Sequence, residues 1–417
     1  MRISRVLATP VMSGYYFDDL VAIRDGATQD GFFYVGDPKT LGHRRIRQPG
    51  EAISILLVLS DGQVAQGDAV SIQYSGVVGR DPVLLADRYL TEVFDAVAPA
   101  FEGAELTSLR DMCDRLEALR VDGRALHSGI RYGMSQALLD ALGKSRQLTM
   151  AEVVADEWGV ELSTQPVPVL AQSGDDRYIG VDKMILKRVE ALPQGLFNSI
   201  DKIGPRGERL REYVAWVSER IQCFGDEDYV PTIHVDVYGT VGKVHDNDPG
   251  RVADYLADLE EAAAPFPLRV EAPVDAGGRD EVLDLMVRLR SAIAACGSRV
   301  EIAADDWCNT LDDVEVFVAA AAADMIQVKA PDLGSVSKSV DAVLSCHGGG
   351  VQAFLGGTCN GTDQSSRVTV NLAMATKADL VYNKPGMGVD EGLMIVRNEM
   401  ARVRLLVSDR AQATQRI

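Results

Sequence analysis

Short apolar runs and amphipathic segments alternate along the chain from about residue 165 onward. The runs are rich in β-branched residues, and the segments between them carry apolar residues at three- and four-residue spacing, which predicts strands that alternate with helices. So many strand–helix pairs are typical of a parallel β/α barrel, and an open doubly wound sheet is the alternative. No glycine-rich dinucleotide turn follows the runs, which favours the barrel. The predicted strands lie at 166–173, 232–239, 267–274, 299–306, 325–332, 350–357 and 379–386.

The first part of the chain has a different pattern, with strands first and helices after them. Residues 53–75 predict two apolar strands joined through Asp61 and Gly62, a dipeptide that tolerates the positive φ angles of a tight hairpin. Strands followed by helices indicate an α+β layer. We therefore predict two domains, an α+β domain over residues 1–160 and a β/α barrel over residues 161–417. The stretches with helical periodicity in the first domain are 82–101, 106–120 and 128–144.

Composition and charge exclude several classes of function. The chain of 417 residues has 42 Lys and Arg against 61 Asp and Glu, and its net charge of −19 repels phosphate backbones and anionic membrane surfaces. Neither nucleic acid nor a membrane is therefore an expected partner. The N-terminus shows no apolar leader segment, and the six cysteines form no CxxC pair. We expect a cytoplasmic protein without disulfides or a structural zinc site.

Acidic residues stand at the ends of three consecutive predicted barrel strands: Asp236, Glu271 and Asp305. The C-terminal strand ends of a barrel meet at its mouth, so the three carboxylates should converge there. Close negative charges repel one another unless a cation lies among them, and oxygen ligands suit Mg²⁺. The alternative is that each carboxylate only caps the helix after its strand. His234, on the same strand face as Asp236, is interpreted as barrel packing, with an indirect contact to the metal site as its alternative.

The next predicted strand ends in a basic residue, Lys329, with Gln327 two residues earlier on the same strand face. A lysine buried beside a metal ion has its charged form disfavoured, so it can be neutral near neutral pH and act as a general base. The alternative is a surface lysine in an ion pair. Because Lys329 follows the three carboxylates in strand order, we favour the base.

Carboxylates on the third, fourth and fifth strands with a lysine on the sixth, after an α+β domain, are the arrangement of the enolase superfamily. More closely, the chain resembles the methylaspartate ammonia-lyase family, and matching segments run through both predicted domains. They are IQYSG (72–76), AQSGDDRY (171–178), VDKMILKRVEALP (181–193), LREYVAWVSERI (210–221), HVDVYGT (234–240), EAPVDAG (271–277), WCNT (307–310), QVKAPDLG (327–334), GGTCNGT (356–362) and KPGMGVDEGL (384–393).

The resemblance implies a β/α barrel of the enolase-superfamily type with an N-terminal α+β capping domain. It also implies a homodimer that requires Mg²⁺ and is activated by K⁺. The implied reaction eliminates ammonia from L-threo-3-methylaspartate, or a close 3-substituted aspartate, to give mesaconate through an Mg²⁺-stabilised enolate of the aci-carboxylate type. The expected partner is thus a small amino-dicarboxylate substrate.

Residue by residue, the resemblance implies metal ligands at Asp236, Glu271 and Asp305. It implies that Lys329 is the base for the (2S,3S) substrate. The positions that hold the substrate's carboxylates and amino group, or otherwise line the site, fall on Gln73, Gln172, Gln194, Gln327, Thr358 and Cys359.

Several positions depart from the family's pattern. Gln194 stands at a catalytic position where the family has a histidine that serves as base for the opposite C3 configuration. An amide keeps a donor for a substrate carboxylate but cannot accept a proton at neutral pH, so we predict one-base stereospecificity. Leu170, Phe354 and Tyr382 replace phenylalanine, tyrosine and leucine, which rearranges the expected pocket for the C3 group. Asp306 replaces a glutamate that is one methylene longer.

Two other functions stay open as alternatives. Another enolase-superfamily reaction, such as dehydration, epimerisation or racemisation of a carboxylic acid, needs a different second-strand signature, usually paired lysines, and residues 189–197 contain none. A catalytically silent acidic barrel that acts as a binding protein predicts a broken carboxylate triad or a missing lysine base. Neither defect is present in the sequence.

Overall fold

The computed structural model describes residues 1–415, and its N-terminal part places helices on an antiparallel sheet. The strands are β1 (Ile3–Asp18), β2 (Thr28–Asp30), β3 (Phe33–Val35), β4 (Arg47–Leu59), β5 (Val64–Ala69), β6 (Arg120–Val121) and β7 (Arg124–Ala125). The helices are α1 (Leu20–Arg24), α2 (Ala86–Glu92), α3 (Ala98–Phe101), α4 (Leu109–Ala118), α5 (Ser128–Arg146) and α6 (Met150–Trp158), with a π-helical turn at Val93–Val97.

The main sheet of this part has the strand order β1-β4-β5. The predicted hairpin is confirmed, because β4 and β5 pair as antiparallel neighbours on either side of Asp61 and Gly62. The second strand of the hairpin ends at Ala69, earlier than predicted. Strand β1, which pairs with β4 along most of its length, was not predicted from the sequence.

Helix α5 packs closely on β5 because glycines lie at the contact. A β-carbon on Gly67 would lie 2.1 Å from the carbonyl oxygen of Gly133, and one on Gly133 would lie 2.3 Å from the nitrogen of Ala69. A larger residue at either position would push the helix away from the sheet. The same helix also reaches the barrel, since Ser135 Oγ accepts a hydrogen bond from Val336 N at 2.9 Å. Helix α5 therefore joins the sheet to the barrel.

The rest of the described chain is a closed barrel of eight parallel strands, which confirms the barrel and excludes the open sheet. The strands are β8 (Val169–Leu170), β9 (Ala191–Gln194), β10 (Thr232–Asp236), β11 (Leu268–Glu271), β12 (Glu301–Ala304), β13 (Met325–Lys329), β14 (Gln352–Gly356) and β15 (Leu380–Tyr382). They follow one another around the barrel in chain order, and β15 closes it against β8. Strand β9 has no apolar run of its own, because Pro193 and Gln194 follow only two apolar residues.

Helices surround the barrel strands as the sequence predicts. They are α7 (Arg177–Leu186), α8 (Ile200–Ile203), α9 (Glu208–Phe224), α10 (Thr240–Val244), α11 (Pro249–Ala263), α12 (Arg279–Cys296), α13 (Leu311–Ala319), α14 (Ala330–Leu333), α15 (Val336–Gly348), α16 (Asp363–Thr376) and α17 (Val389–Gln415). Within residues 1–415, no helix is both long and apolar enough to cross a lipid bilayer.

The N-terminal sheet covers the mouth of the barrel, where the carboxyl ends of the barrel strands lie. Gly14 on β1 donates its N–H to the carbonyl oxygen of Gly361 at 2.9 Å. A β-carbon on Gly14 would lie 2.5 Å from the side chain of Pro385, so β1 approaches this loop as closely as only glycine permits. These contacts place the segment after β5, which carries Gln73, over the mouth.

A buried arginine fastens the N-terminal part to the barrel. Arg80, whose side chain is 2% exposed, donates through Nε to Asp332 Oδ2 at 2.8 Å and through Nη2 to Asp306 Oδ1 at 2.9 Å. Burial raises the pKa of Asp306, but Arg80 and Lys329 outweigh burial and hold that pKa at about 2. Asp306 is therefore charged and depends on these cations for compensation.

Replacing Arg80 should destabilise the protein far more than replacing an exposed arginine. Arg80→Leu leaves two partly or fully buried carboxylates without their partner, so we expect the free energy of unfolding to fall by about 3 kcal/mol or more in urea titrations. Arg2→Leu is the control, because Arg2 pairs with Glu105 at 2.6 Å while both side chains are more than half exposed, and such pairs contribute less than about 1 kcal/mol. Equal losses in the two variants would contradict the role of Arg80.

Candidate active site and metal centre

Three carboxylates from adjacent strands meet at the mouth of the barrel. Asp236 ends β10, Glu271 ends β11 and Asp305 follows β12, and each offers an oxygen within 4.8 Å of the others. All three are buried, and none is the N-cap of the helix after its strand, so the simple capping alternative is wrong. Burial and then the charges of Glu271 and Asp305 raise the pKa of Asp236 well above its usual range.

The arrangement of these three oxygens fits a divalent cation. Burial raises the pKa of Asp305 to about 7, although Lys329 acts in the opposite direction. A cluster that holds protons so tightly lacks positive charge, and Mg²⁺ prefers carboxylate oxygens while keeping positions for water or substrate. The residues present therefore suit Mg²⁺.

Two side chains hold Glu271 in place through hydrogen bonds to one of its carboxylate oxygens. His234 Nε2 lies 2.9 Å from Glu271 Oε2, and Gln194 Nε2 donates to the same oxygen at 3.1 Å. Burial lowers the pKa of His234, even though Glu271 opposes this, so the ring is neutral and donates its Nε2 proton. Hydrogen bonds of this kind orient a metal ligand. The indirect contact to the metal site, our alternative for His234, is thus present.

Lys329 ends β13 beside the carboxylates and is 8% exposed, so it is not a surface lysine. Its Nζ forms an ion pair with Asp305 and lies 3.9 Å from Asp306 Oδ1. Burial and Arg80 lower the pKa of Lys329, but the carboxylates outweigh them and the pKa is raised. In the absence of a metal ion the neighbouring negative charges thus stabilise the ammonium, and the neutral amine expected beside Mg²⁺ stays a prediction. A divalent cation among these carboxylates would offset that attraction.

Gln327 lies two residues before Lys329 and contacts the metal cluster. With the amide turned so that its nitrogen faces the carboxylates, Gln327 donates to Glu271 Oε1 at 3.3 Å and to Asp305. The neighbouring amide of Gln194 is only half used, because its buried Oε1 has no hydrogen-bond partner among the described residues. Two amides thus lie around the carboxylates, and one of them keeps a free acceptor.

The first and last strands of the barrel, β8 and β15, bring a second polar group to the cavity. Gln172 follows β8, and its Oε1 accepts hydrogen bonds from Tyr382 Oη and, at 2.5 Å, from Lys384 Nζ. The ammonium of Lys384 also lies 3.8 Å from the centre of the Tyr382 ring. Lys384 is 6% exposed, and burial lowers its pKa to about 8. Lys384 was not among the predicted site residues.

The N-terminal part contributes a chain of hydrogen bonds that begins at Cys359. Cys359 Sγ donates to Gln73 Oε1 at 3.3 Å, and Gln73 Nε2 donates to Asp18 Oδ2 at 2.8 Å. Asp18 forms a buried, bidentate pair with Arg47 at 2.7 and 2.8 Å. The orientation of Gln73 is therefore fixed by an ion pair that lies entirely outside the barrel.

These groups line one cavity at the mouth of the barrel. The predicted residues along its wall are Gln73, Gln172, Gln194, Asp236, Asp305, Gln327, Lys329, Thr358, Cys359 and Tyr382. Glu271 joins them through its hydrogen bonds. Of the three apolar replacements, Leu170 and Phe354 lie with Tyr382 in an apolar cluster inside the barrel, where the Phe354 and Tyr382 rings meet edge to face at 5.4 Å. Their effect on the C3 pocket stays a prediction.

Some residues of the cavity wall escaped the sequence analysis. Lys384 follows β15, the last strand of the barrel. The strand-end argument that predicted Lys329 could therefore also have predicted Lys384. Tyr74 and Tyr238 come from different parts of the chain and meet ring edge to face at 5.9 Å. No spacing signal links these two tyrosines in the sequence.

Comparison with known proteins identifies the family. The model of the methylaspartate ammonia-lyase N-terminus matches residues 1–159, and that of the C-terminus matches residues 161–409. Methylaspartate ammonia-lyase 1 of Carboxydothermus hydrogenoformans is 50% identical over 403 residues, which cover 96% of each chain. The chain therefore belongs to the methylaspartate ammonia-lyase family.

Solved structures of methylaspartate ammonia-lyases have the same fold. The Mg complex of β-methylaspartase from Clostridium tetanomorphum is 48% identical, with a TM-score of 0.93. The match covers 98% of this chain and 100% of that one. The Citrobacter amalonaticus enzyme containing (2S,3S)-3-methylaspartic acid is 46% identical with a TM-score of 0.96 at the same coverage. The L-Ala-D/L-Glu epimerase from Bacillus subtilis has 15% identity and a TM-score of 0.66, and the match covers 94% of this chain and 91% of the epimerase. This likeness shows a shared fold alone.

Removing one carboxylate charge should weaken metal binding in this methylaspartate ammonia-lyase family member. In Asp305→Asn, one anionic oxygen of the triad becomes a neutral amide, so we expect Mg²⁺ affinity, measured by calorimetry, to fall at least tenfold and turnover to disappear. Asp312→Asn, at an acidic residue in the first turn of α13, is the matched control and should leave both unchanged. Full activity in excess chelator would contradict the metal requirement.

Proposed function

We propose that the protein eliminates ammonia from (2S,3S)-3-methylaspartate to give mesaconate. The observation that carries the proposal is Lys329, which ends its strand against three convergent carboxylates inside one polar cavity. A metal-bound substrate carboxylate and a base are what abstraction of a weakly acidic proton requires. The ligand named for the Citrobacter amalonaticus structure supports the choice of substrate.

The difficulty of the reaction lies in the first proton. Removing the C3 proton places a second negative charge on the neighbouring C4 carboxylate. Mg²⁺, held by Asp236, Glu271 and Asp305, would supply the positive charge that stabilises this carboxylate. In its amine form, Lys329 accepts the proton, the electron pair of the C3–H bond forms the C2–C3 double bond, and the C2–N bond breaks as ammonia leaves.

Only one face of the substrate has a base in this proposal. Strands β9 and β13 are separated by three strands on one side and three on the other, so Gln194 and Lys329 come from opposite sides of the barrel. The Gln194 amide donates to Glu271 and cannot take a proton. The nearby Lys183 and Lys187 are paired with Asp390 at the surface and do not reach the cavity.

We also propose a cytoplasmic homodimer that is activated by K⁺, as the family resemblance implies. The six cysteines are all unpaired thiols, which supports a reducing compartment. Exposed apolar side chains of Ile179 and Leu186 on α7 and Met394 on α17 are consistent with a subunit contact. Sedimentation at equilibrium tests the dimer, and turnover in K⁺ against Na⁺ tests the activation.

The base assignment predicts a loss of both proton exchange and elimination in Lys329→Ala. Without the amine, exchange of the C3 proton with deuterated water and release of ammonia should each slow by at least about 10²-fold to 10⁴-fold. With Mg²⁺ bound in place of the lost positive charge, the variant should keep its fold and still bind Mg²⁺. Lys377→Ala, at an exposed lysine that pairs with Glu161, is the control. Exchange at the wild-type rate would assign the base to another group.

The amide at position 194 predicts a stereochemical preference. Because Lys329 serves one face alone, kcat/KM for the (2S,3S) isomer should exceed that for the (2S,3R) isomer by about 10² to 10⁴. Gln194→His should raise activity on the (2S,3R) isomer more than on the (2S,3S) isomer. Product absorbance in the ultraviolet measures both rates.

Similar kcat/KM values for the two isomers in the unmodified protein would overturn the one-base proposal. Water or the Lys384 amine would then be the group that serves the second face. Comparing both isomers in Lys384→Met separates these two sources, because loss of a base would slow the (2S,3R) isomer alone, whereas loss of a binding contact would slow both isomers.

A further inference from the structure

Lys384 is a buried cation in the cavity wall with no anionic partner. Its ammonium donates to the neutral amide oxygen of Gln172 and lies over the Tyr382 ring, and no carboxylate of residues 1–415 forms an ion pair with it. A buried charge without a partner is costly unless a ligand completes the site. Such a residue is therefore expected to meet an anion that the protein itself does not supply.

The acidic groups that act electrostatically on Lys384 do not serve as its ion-pair partners. The groups whose negative charge would raise the pKa of this lysine are Cys359, Glu271 and Asp236. Burial raises the pKa of Cys359, so the thiol is neutral, and the two carboxylates belong to the metal cluster. A bound divalent cation would neutralise the carboxylates and leave Lys384 with still less compensation.

Lys384 also decides which way Gln172 presents its amide. The oxygen of Gln172 is occupied by Lys384 and Tyr382, so the amide nitrogen is left to donate. Its present partner is the thioether sulfur of Met387, a weak acceptor that a stronger one can displace. The ammonium and the amide N–H groups thus form a pair of adjacent donors, one charged and one neutral, which is a good match for a carboxylate.

The proposed substrate carries a carboxylate that the metal does not serve. In the proposed reaction Mg²⁺ would act at the C4 carboxylate, and the base acts at C3. The C1 carboxylate is attached to C2, at the other end of the substrate. We infer that Lys384 binds the C1 carboxylate of the substrate, together with the Gln172 amide that it orients. This inference rests on the proposed function, and it makes Lys384 the residue that selects dicarboxylates over monocarboxylates.

Equilibrium binding of two product analogues tests the inference directly. Mesaconate carries both carboxylates, and methacrylate is the same molecule with hydrogen in place of the C1 carboxylate. In Lys384→Met, with Mg²⁺ present, we expect the affinity for mesaconate to fall by about 10- to 100-fold, as for loss of a charged hydrogen bond, and the affinity for methacrylate to stay unchanged. Lys377→Met is the matched control and should bind both as the wild type does.

Two further measurements separate binding from a structural role. Lys384→Met should melt at the same or a higher temperature than the wild type without ligand, because it removes an unpaired buried charge. Lys384→Arg, which keeps the charge, should retain more mesaconate affinity than Lys384→Met. For 3-methylaspartate itself, Lys384→Met should raise KM more than it lowers kcat.

The outcomes are decisive in both directions. Unchanged mesaconate affinity in Lys384→Met, or equal losses for mesaconate and methacrylate, would overturn the inference. Failure of the wild type to release ammonia from 3-methylaspartate would overturn the proposed function instead. The comparison of a dicarboxylate with its monocarboxylate counterpart would still decide the role of Lys384 in that case.

Discussion

The site depends on one electrostatic constraint, which is that three buried carboxylates lie within 4.8 Å of one another. Burial and then their mutual repulsion raise the pKa of Asp236 well above its usual range, so the fold must surround the carboxylates with donors and cations. Lys329 pairs with Asp305, while Gln327, Gln194 and His234 donate hydrogen bonds to the cluster. Each of these groups also limits what the site can do, because the proposed base, the proposed stereochemical preference and the metal preference all depend on the same contacts.

The barrel explains why most of this cluster could be predicted from sequence. Parallel strands in a β/α barrel end at the same mouth, so the spacing of Asp236, Glu271 and Asp305 along the chain translates directly into proximity. The same argument predicted the position of Lys329. The position of Gln194 required the family resemblance, because β9 is a short strand interrupted by Pro193 and lacks a recognisable apolar run.

The contributions of the N-terminal part could not be predicted in the same way. Gln73 is oriented by Asp18, which in turn pairs with Arg47, and these residues come from three segments with no common spacing. Arg80 reaches Asp306 and Asp332 across more than 220 positions of sequence. Tertiary contacts between separate layers leave no periodic signal, so only the structure shows that this part shapes the cavity rather than merely covering it. The charge state of Lys329 depends in the same way on the balance between burial and specific neighbours.

Under our proposal, Gln194 lets this site lose a base and keep its metal centre. Glu271 Oε2 accepts hydrogen bonds from two neutral side chains, His234 Nε2 and Gln194 Nε2, at 2.9 and 3.1 Å. Positioning this metal ligand requires only a donor, and an amide N–H supplies one as well as an imidazole N–H does. Accepting a proton from the substrate requires a basic lone pair, which the amide lacks. The two tasks proposed for the position are therefore separable by chemistry. In the proposed mechanism this chain keeps only the positioning task, and the buried Oε1 of Gln194 has no hydrogen-bond partner among the described residues.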